Sequence, residues 1–410
     1  MYNKIKWLIK WVSSLILEFI LSIFIKRDDK FYLFGSKPNI GKDVFLNHSK
    51  YFFLYMQQFK DIKTVWLCDD EEMIKTFHKN GFNNVYKRNS LKGFYSVLKA
   101  KYWFCDFTAN QISQFNSSIS KSVVINFLHG TGIKKNGYDA IETRGNQIGV
   151  DNSGYVVKDS LQDKIYNLFK KSNDYYPVNC SYKAEIRKSA YGATDDQNII
   201  LGAPRIDVLY KDIPFAEMFT EKDYEAIKNY KNENKKILVY VPTFRETGKD
   251  VSTWLKNEKL QQFLEENNTI LACKLHPFDA NSLKDNTFKN VYKMENTSDI
   301  YPILKYTDGM ITDYSSIYLD YLHLDKPIIY HIPDIEEFTT KCRGFYRPFE
   351  TISAGIYTKN EMELYNAMND VINGIDNYKE QRKRLFDNMF VYHDGNNCER
   401  VFEFIKTLEK

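Results

Sequence analysis

The sequence predicts an α/β protein with two parallel sheets. Short apolar or β-branched runs end abruptly in polar motifs with Gly or Pro, and a helical stretch follows each of them. The runs are almost continuously apolar, which is typical of strands buried on both faces of a parallel sheet. The 410 residues also exceed the roughly 250–300 at which a single core stops growing, so we expect two domains.

The composition excludes several classes of function. Hydrophobic residues make up 43% of the chain, which is enough for packed cores. A mean hydropathy of -0.49 with one long apolar run excludes a polytopic membrane protein. The 57 basic and 53 acidic residues leave a net charge of +4, so we expect no nucleic-acid partner. Six scattered cysteines without a CxxC pair favour a reduced, cytosolic protein.

Residues 1–29 are predicted to form an amphipathic, membrane-associating helix. The stretch 7–25 is largely apolar but contains Lys10 and Glu18, each of which would be costly near the centre of a bilayer. Basic residues on both sides favour anionic lipid, so we expect a helix that lies peripherally on the cytoplasmic leaflet. A core helix of the first domain and a true membrane span remain as alternatives.

The first domain is predicted over residues 30–210, as a Rossmann-like unit. Its strands are expected at 31–34, 64–68, 102–105, 123–128 and 198–201. A charged stretch with few β-branched residues, 215–236, predicts a helix and a connector.

The second domain is predicted over residues 235–375. Its strands are expected at 237–241, 270–275, 309–312 and 327–330. The last segment, 376–410, is rich in Lys, Glu, Asn and Tyr and predicts terminal helices.

The motif at 129–132 follows a predicted strand of the first domain. Ligands of open α/β sheets bind at the carboxyl ends of strands, and two glycines let the backbone approach a ligand closely. His129 has the titration range of a general base, and Lys134 can meet phosphate. A structural histidine is the alternative. Further along, Arg205 ends another strand, where it could pair with Asp207 or reach a ligand.

Strand ends of the second domain carry a similar chemistry. Thr243 and Arg245 offer a hydroxyl and a guanidinium fork of the kind that holds phosphate, although a salt bridge at Arg245 is the alternative. His276 ends the next strand. Ser315 and Ser316 precede a helical stretch, where they could cap the helix or help to bind an anion.

Together these residues predict a phosphate site. It contains histidines, basic residues and hydroxyls but few carboxylates, and Asp313 is expected to orient donors or a ribose. The chain lacks a Walker lysine pattern, a GxGxxG loop and a DxD-like pair of aspartates that could bridge a metal ion to a diphosphate. We therefore expect no metal and no cofactor.

The five motifs, in this order, resemble the CDP-glycerol glycerophosphotransferase family of teichoic acid primases and polymerases. The resemblance covers residues 121–350 and is most specific in the block 311–346, which includes Lys326, Pro327, Asp334 and Glu337. It implies a GT-B architecture, in which two Rossmann-like domains face a cleft and the second domain holds the CDP-alcohol. It also implies a membrane-associated enzyme with a lipid-linked acceptor.

Residue by residue, the resemblance implies two catalytic histidines. His129 corresponds to the general base on the acceptor hydroxyl, and His276 to the second histidine beside the transferred phosphate. The implied substrate-binding residues are Gly130, Thr131, Lys134, Arg205, Thr243, Arg245, Asp313, Ser315 and Ser316. Gly132 stands where the family usually has proline, which leaves the acceptor geometry open.

The implied reaction is attack of an acceptor hydroxyl on the β-phosphorus of CDP-glycerol or CDP-ribitol, with release of CMP, in teichoic acid or capsule synthesis. The moderate length favours a primase or a compact capsule-type transferase over a long polymerase. Two alternatives remain: a GT-B glycosyltransferase that uses a nucleotide sugar, and a non-catalytic membrane-bound scaffold that binds anionic polymer.

Overall fold

The structure, a computed structural model, consists of two α/β domains, each built on a parallel sheet. It describes residues 13, 16–17, 20–21, 23–35, 43–106, 112, 122–140, 174–243, 245, 253–275, 288–342 and 344–409. This arrangement confirms the predicted fold class of two parallel α/β units.

The first domain contains a seven-stranded sheet. Its strands are β1 Asp28–Gly35, β2 Lys63–Cys68, β3 Val85–Lys87, β4 Ala100–Cys105, β5 Val123–Asn126, β6 Asp174–Val178 and β7 Asn198–Ile200. They lie in the order β3-β2-β1-β4-β5-β6-β7, and every pairing is parallel. The helices between them are α1 Asn47–Met56, α2 Glu71–Lys79, α3 Leu91–Lys99, α4 Ser181–Tyr191 and α5 Asp207–Tyr210.

The second domain contains a six-stranded parallel sheet in the order β10-β9-β8-β11-β12-β13. These strands are β8 Lys236–Val241, β9 Thr269–Cys273, β10 Val291–Lys293, β11 Gly309–Thr312, β12 Ile328–His331 and β13 Ile356–Thr358. The helices are α6 Glu221–Asn232, α7 Glu258–Glu266, α8 Tyr301–Leu304, α9 Ile317–Tyr321, α10 Ile335–Glu337, α11 Glu361–Ile372, α12 Lys379–Met389 and α13 Asn397–Leu408.

Both sheets are covered on both faces, as the continuous apolar runs predicted. Successive side chains of a strand point to opposite faces. In β1, Tyr32 and Phe34 pack into the large central core, whereas Phe31 and Leu33 pack into a separate cluster on the other face. The central core continues from the first sheet into one face of the second. The two domains therefore share one apolar core.

Two buried ion pairs, Lys50 with Asp299 and Arg205 with Asp320, reinforce the contact between the domains. Lys50 of α1 donates to Asp299 at 2.9 Å, and the Tyr51 hydroxyl donates to the same carboxylate. The last helix, α13, then returns to the first domain, where Asp207 accepts from the backbone N–H groups of Asn397 and Cys398. The carboxyl ends of both sheets are thus held facing each other by fixed contacts.

The N-terminal segment is only partly described. Its described residues from 13 to 24 are helical, and five large apolar side chains are exposed there: Ile16, Leu17, Ile20, Ile23 and Phe24. Within the described part of the chain, no helix has both the length and the apolar character needed to cross a membrane. The predicted association with a membrane surface stays a prediction.

Candidate active site

The loop after β5 presents His129 to the cleft between the domains. The chain turns sharply at Leu128, which adopts a positive φ of 54°, and the Leu128 N–H donates to the Asn126 side chain at 3.1 Å. A bulky residue with this φ is uncommon and tends to occur where the surrounding structure imposes it, often at functional sites. The imidazole that follows is exposed.

A backbone bridge ties this loop to the second domain. Lys134 and Phe345 form an antiparallel β-bridge, with hydrogen bonds of 3.1 Å from Lys135 N to Gly344 O and from Tyr346 N to Ile133 O. The loop that begins at His129 is therefore in direct contact with residues 344–346 of the second domain. The bridge fixes the distance between the His129 loop and the strand ends of the second sheet.

Gly130 lies at a close approach between the domains. A Cβ atom added at Gly130 would lie 3.2 Å from the Arg205 guanidinium and 3.3 Å from the Ser316 hydroxyl. The Ser316 side chain makes no capping hydrogen bond to α9, so its hydroxyl is not used as the helix cap. Ser316 thus lies against the His129 loop, where a phosphoryl group between the domains could contact it.

Lys134 reaches across the same cleft to Thr243. Its ammonium lies 3.4 Å from the Thr243 hydroxyl, so two predicted substrate-binding residues meet. Thr131 is different, because its hydroxyl is buried and accepts from the Asn179 side chain at 3.0 Å. Thr131 therefore anchors the loop to the start of α4, and its hydroxyl is directed away from open solvent.

The partners of Arg205 differ from the prediction. Its guanidinium pairs with Asp320 at 2.6 and 3.0 Å, donates to Asn47 and to the His129 carbonyl oxygen, and lies over the Tyr301 ring. Asp207, the partner considered from sequence, instead caps α13. Arg205 is 3% exposed. Arg205 therefore positions the His129 loop through the His129 carbonyl oxygen.

Arg245 also differs from the prediction. Its guanidinium pairs with Asp334 at 2.6 and 3.1 Å and with Asp313 at 2.6 Å, and it is 2% exposed. Asp313 in turn accepts from the Thr243 N–H with both oxygens at 2.9 Å. The expected open fork for phosphate is thus occupied by two carboxylates, and Asp313 holds the backbone N–H of Thr243. This network sets the loop that carries Thr243.

The electrostatics around His129 favour the neutral imidazole. Loss of hydration lowers the pKa of His129 below its usual value, and the nearby Arg205 lowers this pKa further. The ring reaches the solvent of the cleft, and charged groups of both domains, Arg205 and Asp320 among them, act on it. A histidine with a lowered pKa is unprotonated at neutral pH, which is the state that a general base requires.

His276 falls outside the described residues. Lys274 lies two residues before His276, directly after β9. It donates to the carbonyl oxygens of Glu295 and Ser298. Burial lowers the pKa of Lys274 to about 8. Within the described ranges, no group of three or more His, Cys, Asp or Glu side chains is arranged to hold a metal ion.

Three residues that build this site were not predicted from the sequence. Asp320 and Asn179 hold Arg205 and Thr131, and Lys183 lies buried in α4 close enough to influence the pKa of His129. Asp320 and Lys183 fall inside helices, where charged residues are usually solvated, so no local pattern distinguishes them. Asn179 carries a signal, since it follows β6 at the carboxyl edge of the sheet.

Comparisons with known proteins find relatives that span nearly the whole chain. A family model described as CDP-Glycerol:Poly(glycerophosphate) glycerophosphotransferase matches residues 19–407. A teichoic acid poly(glycerol phosphate) polymerase of Bacillus spizizenii is 28% identical over 424 residues, covering 98% of this chain and 99% of the relative. A teichoic acid ribitol-phosphate primase of the same organism is 28% identical over 259 residues, covering 58% of this chain and 64% of the relative.

A solved structure of the wall teichoic acid polymerase TagF superposes with a TM-score of 0.72. The two are 20% identical, with 99% of this chain and 98% of that chain covered, so the match shows a shared fold, which is GT-B-like. The polymerase relative of equal length also removes the argument that the chain's length favours a primase over a polymerase.

Proposed function

The chain belongs to the CDP-glycerol:poly(glycerophosphate) glycerophosphotransferase family, and from this premise we propose its donor, its acceptor and the residues that carry its reaction. Family membership makes the protein a transferase of teichoic acid synthesis. We infer that it moves glycerol phosphate from CDP-glycerol to a hydroxyl of a lipid-linked saccharide or growing glycopolymer. CDP-ribitol is the second donor to test, because relatives are named for each polyol phosphate.

One observation carries the proposal. The loop of His129 meets the hydroxyl-bearing strand ends of the second domain, with Gly130 close to Ser316 and Lys134 close to Thr243. A phosphoryl group placed between these groups would have a base on one side and hydroxyl and ammonium donors on the other. This is the arrangement that in-line displacement at phosphorus requires.

In the proposed reaction, His129 takes the proton of the acceptor hydroxyl as its oxygen attacks the β-phosphorus of the donor. The bond from this phosphorus to the CMP oxygen breaks, and CMP leaves. Ser315, Ser316, Thr243 and Lys134 are proposed to hold the phosphoryl oxygens, together with His276 from the sequence resemblance. Catalysis by such a site rests on positioning and on electrostatic stabilisation of the phosphoryl charge.

The two buried arginines are proposed as positioning residues. Arg205 holds the carbonyl oxygen of His129, and Arg245 holds the loop of Thr243 through Asp313. Neither guanidinium is directed at open cleft, since both are nearly fully buried with carboxylate partners. Their removal should therefore displace the groups that touch substrate.

The proposed location is the cytoplasmic face of the cell membrane, reached by the N-terminal helix. The exposed apolar residues Ile16, Ile20, Ile23 and Phe24 recur at helical spacing, so they form a single stripe. A stripe of this kind next to basic residues suits insertion at the lipid interface.

A donor panel tests the proposed function. The full chain is incubated with membrane extract and with CDP-glycerol, CDP-ribitol or UDP-N-acetylglucosamine, and the released nucleotide is measured. We expect CMP from CDP-glycerol and no release in the His129→Ala variant. Release of CMP from CDP-ribitol alone would change the polyol. Release of UDP alone would replace the proposal by sugar transfer.

A further inference from the structure

Helix α4 carries a buried lysine that the proposed mechanism does not use. Lys183 is 1% exposed, and its ammonium makes no hydrogen bond or ion pair with any described residue. A buried charge without a partner is costly, so native proteins usually pair or neutralise it. Lys183, which lies close enough to His129 to influence its pKa, therefore lacks the anion that would stabilise its charged form.

The surroundings of Lys183 carry excess positive charge. Burial is the main cause that holds the pKa of Lys183 well below its usual value, and Arg187 and Arg205 lower it further. Arg187 lies one turn along the same helix face, where like charges repel. The nearby carboxylate of Asp320 raises the pKa of Lys183, but it is already engaged by Arg205 and Tyr301.

The start of α4 adds a second feature that favours an anion. The helix has 11 residues and begins after Cys180, and no side chain caps it. The first N–H groups of a helix have no partner within the helix, and its dipole favours negative charge there. Lys183 is the third residue of this helix, so it belongs to the first turn.

This end of α4 is attached to the His129 loop. The Asn179 amide, two residues before the helix, donates to the Thr131 hydroxyl at 3.0 Å. A Cβ added at Gly132 would lie 3.5 Å from the Ile186 side chain, so the helix also packs against the loop. An anion bound at Lys183 would therefore lie on the first-domain side of the cleft, beside the proposed base.

We propose that Lys183 and the first turn of α4 bind a phosphodiester of the acceptor, the one that joins its terminal polyol to the preceding unit. This inference rests on the proposed function. The donor diphosphate is assigned to the second domain, at Thr243, Ser315 and Ser316, whereas Lys183 lies with His129 on the first domain. The acceptor hydroxyl must reach His129, so the phosphodiester behind it falls on the Lys183 side.

The proposal predicts a preference among acceptors. An acceptor that ends in a polyol phosphate unit supplies the anion that Lys183 lacks, whereas a neutral saccharide end leaves the ammonium unpaired. The chain should therefore extend a primed acceptor better than an unprimed one. Lys183 would thus favour extension of an existing polymer over addition of the first unit.

Equilibrium binding tests the site without turnover. The probe is glycerophosphoglycerol, two glycerols joined by one phosphodiester, with diglycerol as its neutral counterpart, and calorimetry is performed on the full chain. Lys183→Met removes the charge at similar volume, and Lys183→Arg retains it. Lys188→Met is the matched control, because Lys188 lies on the same helix but is exposed and paired with Asp195.

We expect Lys183→Met to weaken binding of glycerophosphoglycerol by about tenfold or more, as loss of a charged hydrogen bond does. Lys183→Arg should restore part of this affinity, while Lys188→Met and the affinity for CDP-glycerol should change less than about twofold. Without ligand, Lys183→Met should melt no lower than the wild type, because it replaces a buried polar group without a partner by an apolar one of similar volume.

Three results would overturn the proposal. Equal binding of the probe by the wild type and Lys183→Met would exclude the contact, and an equal loss for CDP-glycerol would move Lys183 to the donor. A lower melting temperature of Lys183→Met would show a packing role. If the wild type releases no CMP from either CDP-polyol but the probe still binds through Lys183, the proposed function fails and the phosphodiester site stands.

Discussion

His129 is the residue on which the proposed chemistry depends most. Because burial and Arg205 lower its pKa, the neutral form persists to a pH below the usual histidine value of about 6.5. The acidic limb of kcat/KM for CMP release should therefore lie below pH 6.5, since activity falls only when the base becomes protonated. His129→Ala should lose about 10²–10⁴ in rate. An acidic limb above pH 7, or a variant with a tenth of the wild-type rate, would contradict this role.

Two glycines of the same loop give a matched pair of variants. In Gly130→Ala the new methyl group crowds Arg205 and Ser316 at 3.2 and 3.3 Å, so kcat for CMP release should fall markedly. In Gly132→Ala its nearest neighbours lie at 3.5 Å, an ordinary contact, so activity should be retained. Equal kcat values for the two variants would show that the close contact of Gly130 with Arg205 and Ser316 does not matter for the reaction.

At the scale of single residues, the sequence predicted which residues lie near the cleft better than it predicted their ion-pair partners. His129, Gly130, Lys134, Thr243 and Ser316 were predicted from motifs at strand ends, and the structure brings these residues together. The partners of the two arginines could not be predicted, because they lie far along the chain. Asp320 is 115 positions from Arg205, and Asp334 is 89 positions from Arg245. Only the packing of strand ends brings them together.

At the scale of secondary-structure elements, the ion-pair network below Thr243 connects the ends of β8 and β11 with the loop that follows β12. Asp334→Asn should destabilise the protein by about 3–5 kcal/mol, because it leaves the buried Arg245 only partly paired. Urea unfolding measures this change. Asp61→Asn breaks an exposed pair with Lys30 and should leave the free energy of unfolding nearly unchanged. Similar losses of unfolding free energy in the two variants would show that this network does not stabilise the protein.

The N-terminal helix makes a separate prediction about location. Replacing Ile20 and Phe24 together by Glu should abolish flotation with liposomes that contain anionic lipid, because the apolar stripe is lost. Leu91→Glu places the same change at a side chain that is 90% exposed on α3, and it should leave flotation intact. Retained binding by the double variant would assign membrane attachment to another surface.

Four strands escaped prediction, each for a local reason. Three of them, β3, β10 and β13, are three-residue strands at sheet edges, where few buried residues are needed. The fourth, β6, lies inside the first sheet but contains Pro177, which normally argues against a central strand. Its pairing with β5 is restricted to Asp174 and Tyr175, so Pro177 is not required as a donor to that neighbour.

At the scale of the whole molecule, the length and the strand rhythm predicted two α/β units, and the two sheets confirm them. The domain boundaries at 210, 235 and 375 stay predictions. The sequence could not predict that the domains share an apolar core and two buried ion pairs, or that α13 returns to the first domain. These contacts hold the cleft at a width where Gly130 and Ser316 are neighbours.

The central claim is that the β-phosphate moves together with the polyol across this cleft. The most direct test supplies CDP-glycerol labelled in both its β-phosphate and its glycerol, with membrane acceptor, and follows both labels in the product of the wild type and of His129→Ala. The account predicts that the two labels enter the acceptor in equal amounts, one for each CMP released, and that both are lost in the variant. Glycerol incorporated without phosphate, or no incorporation by the wild type, would contradict it.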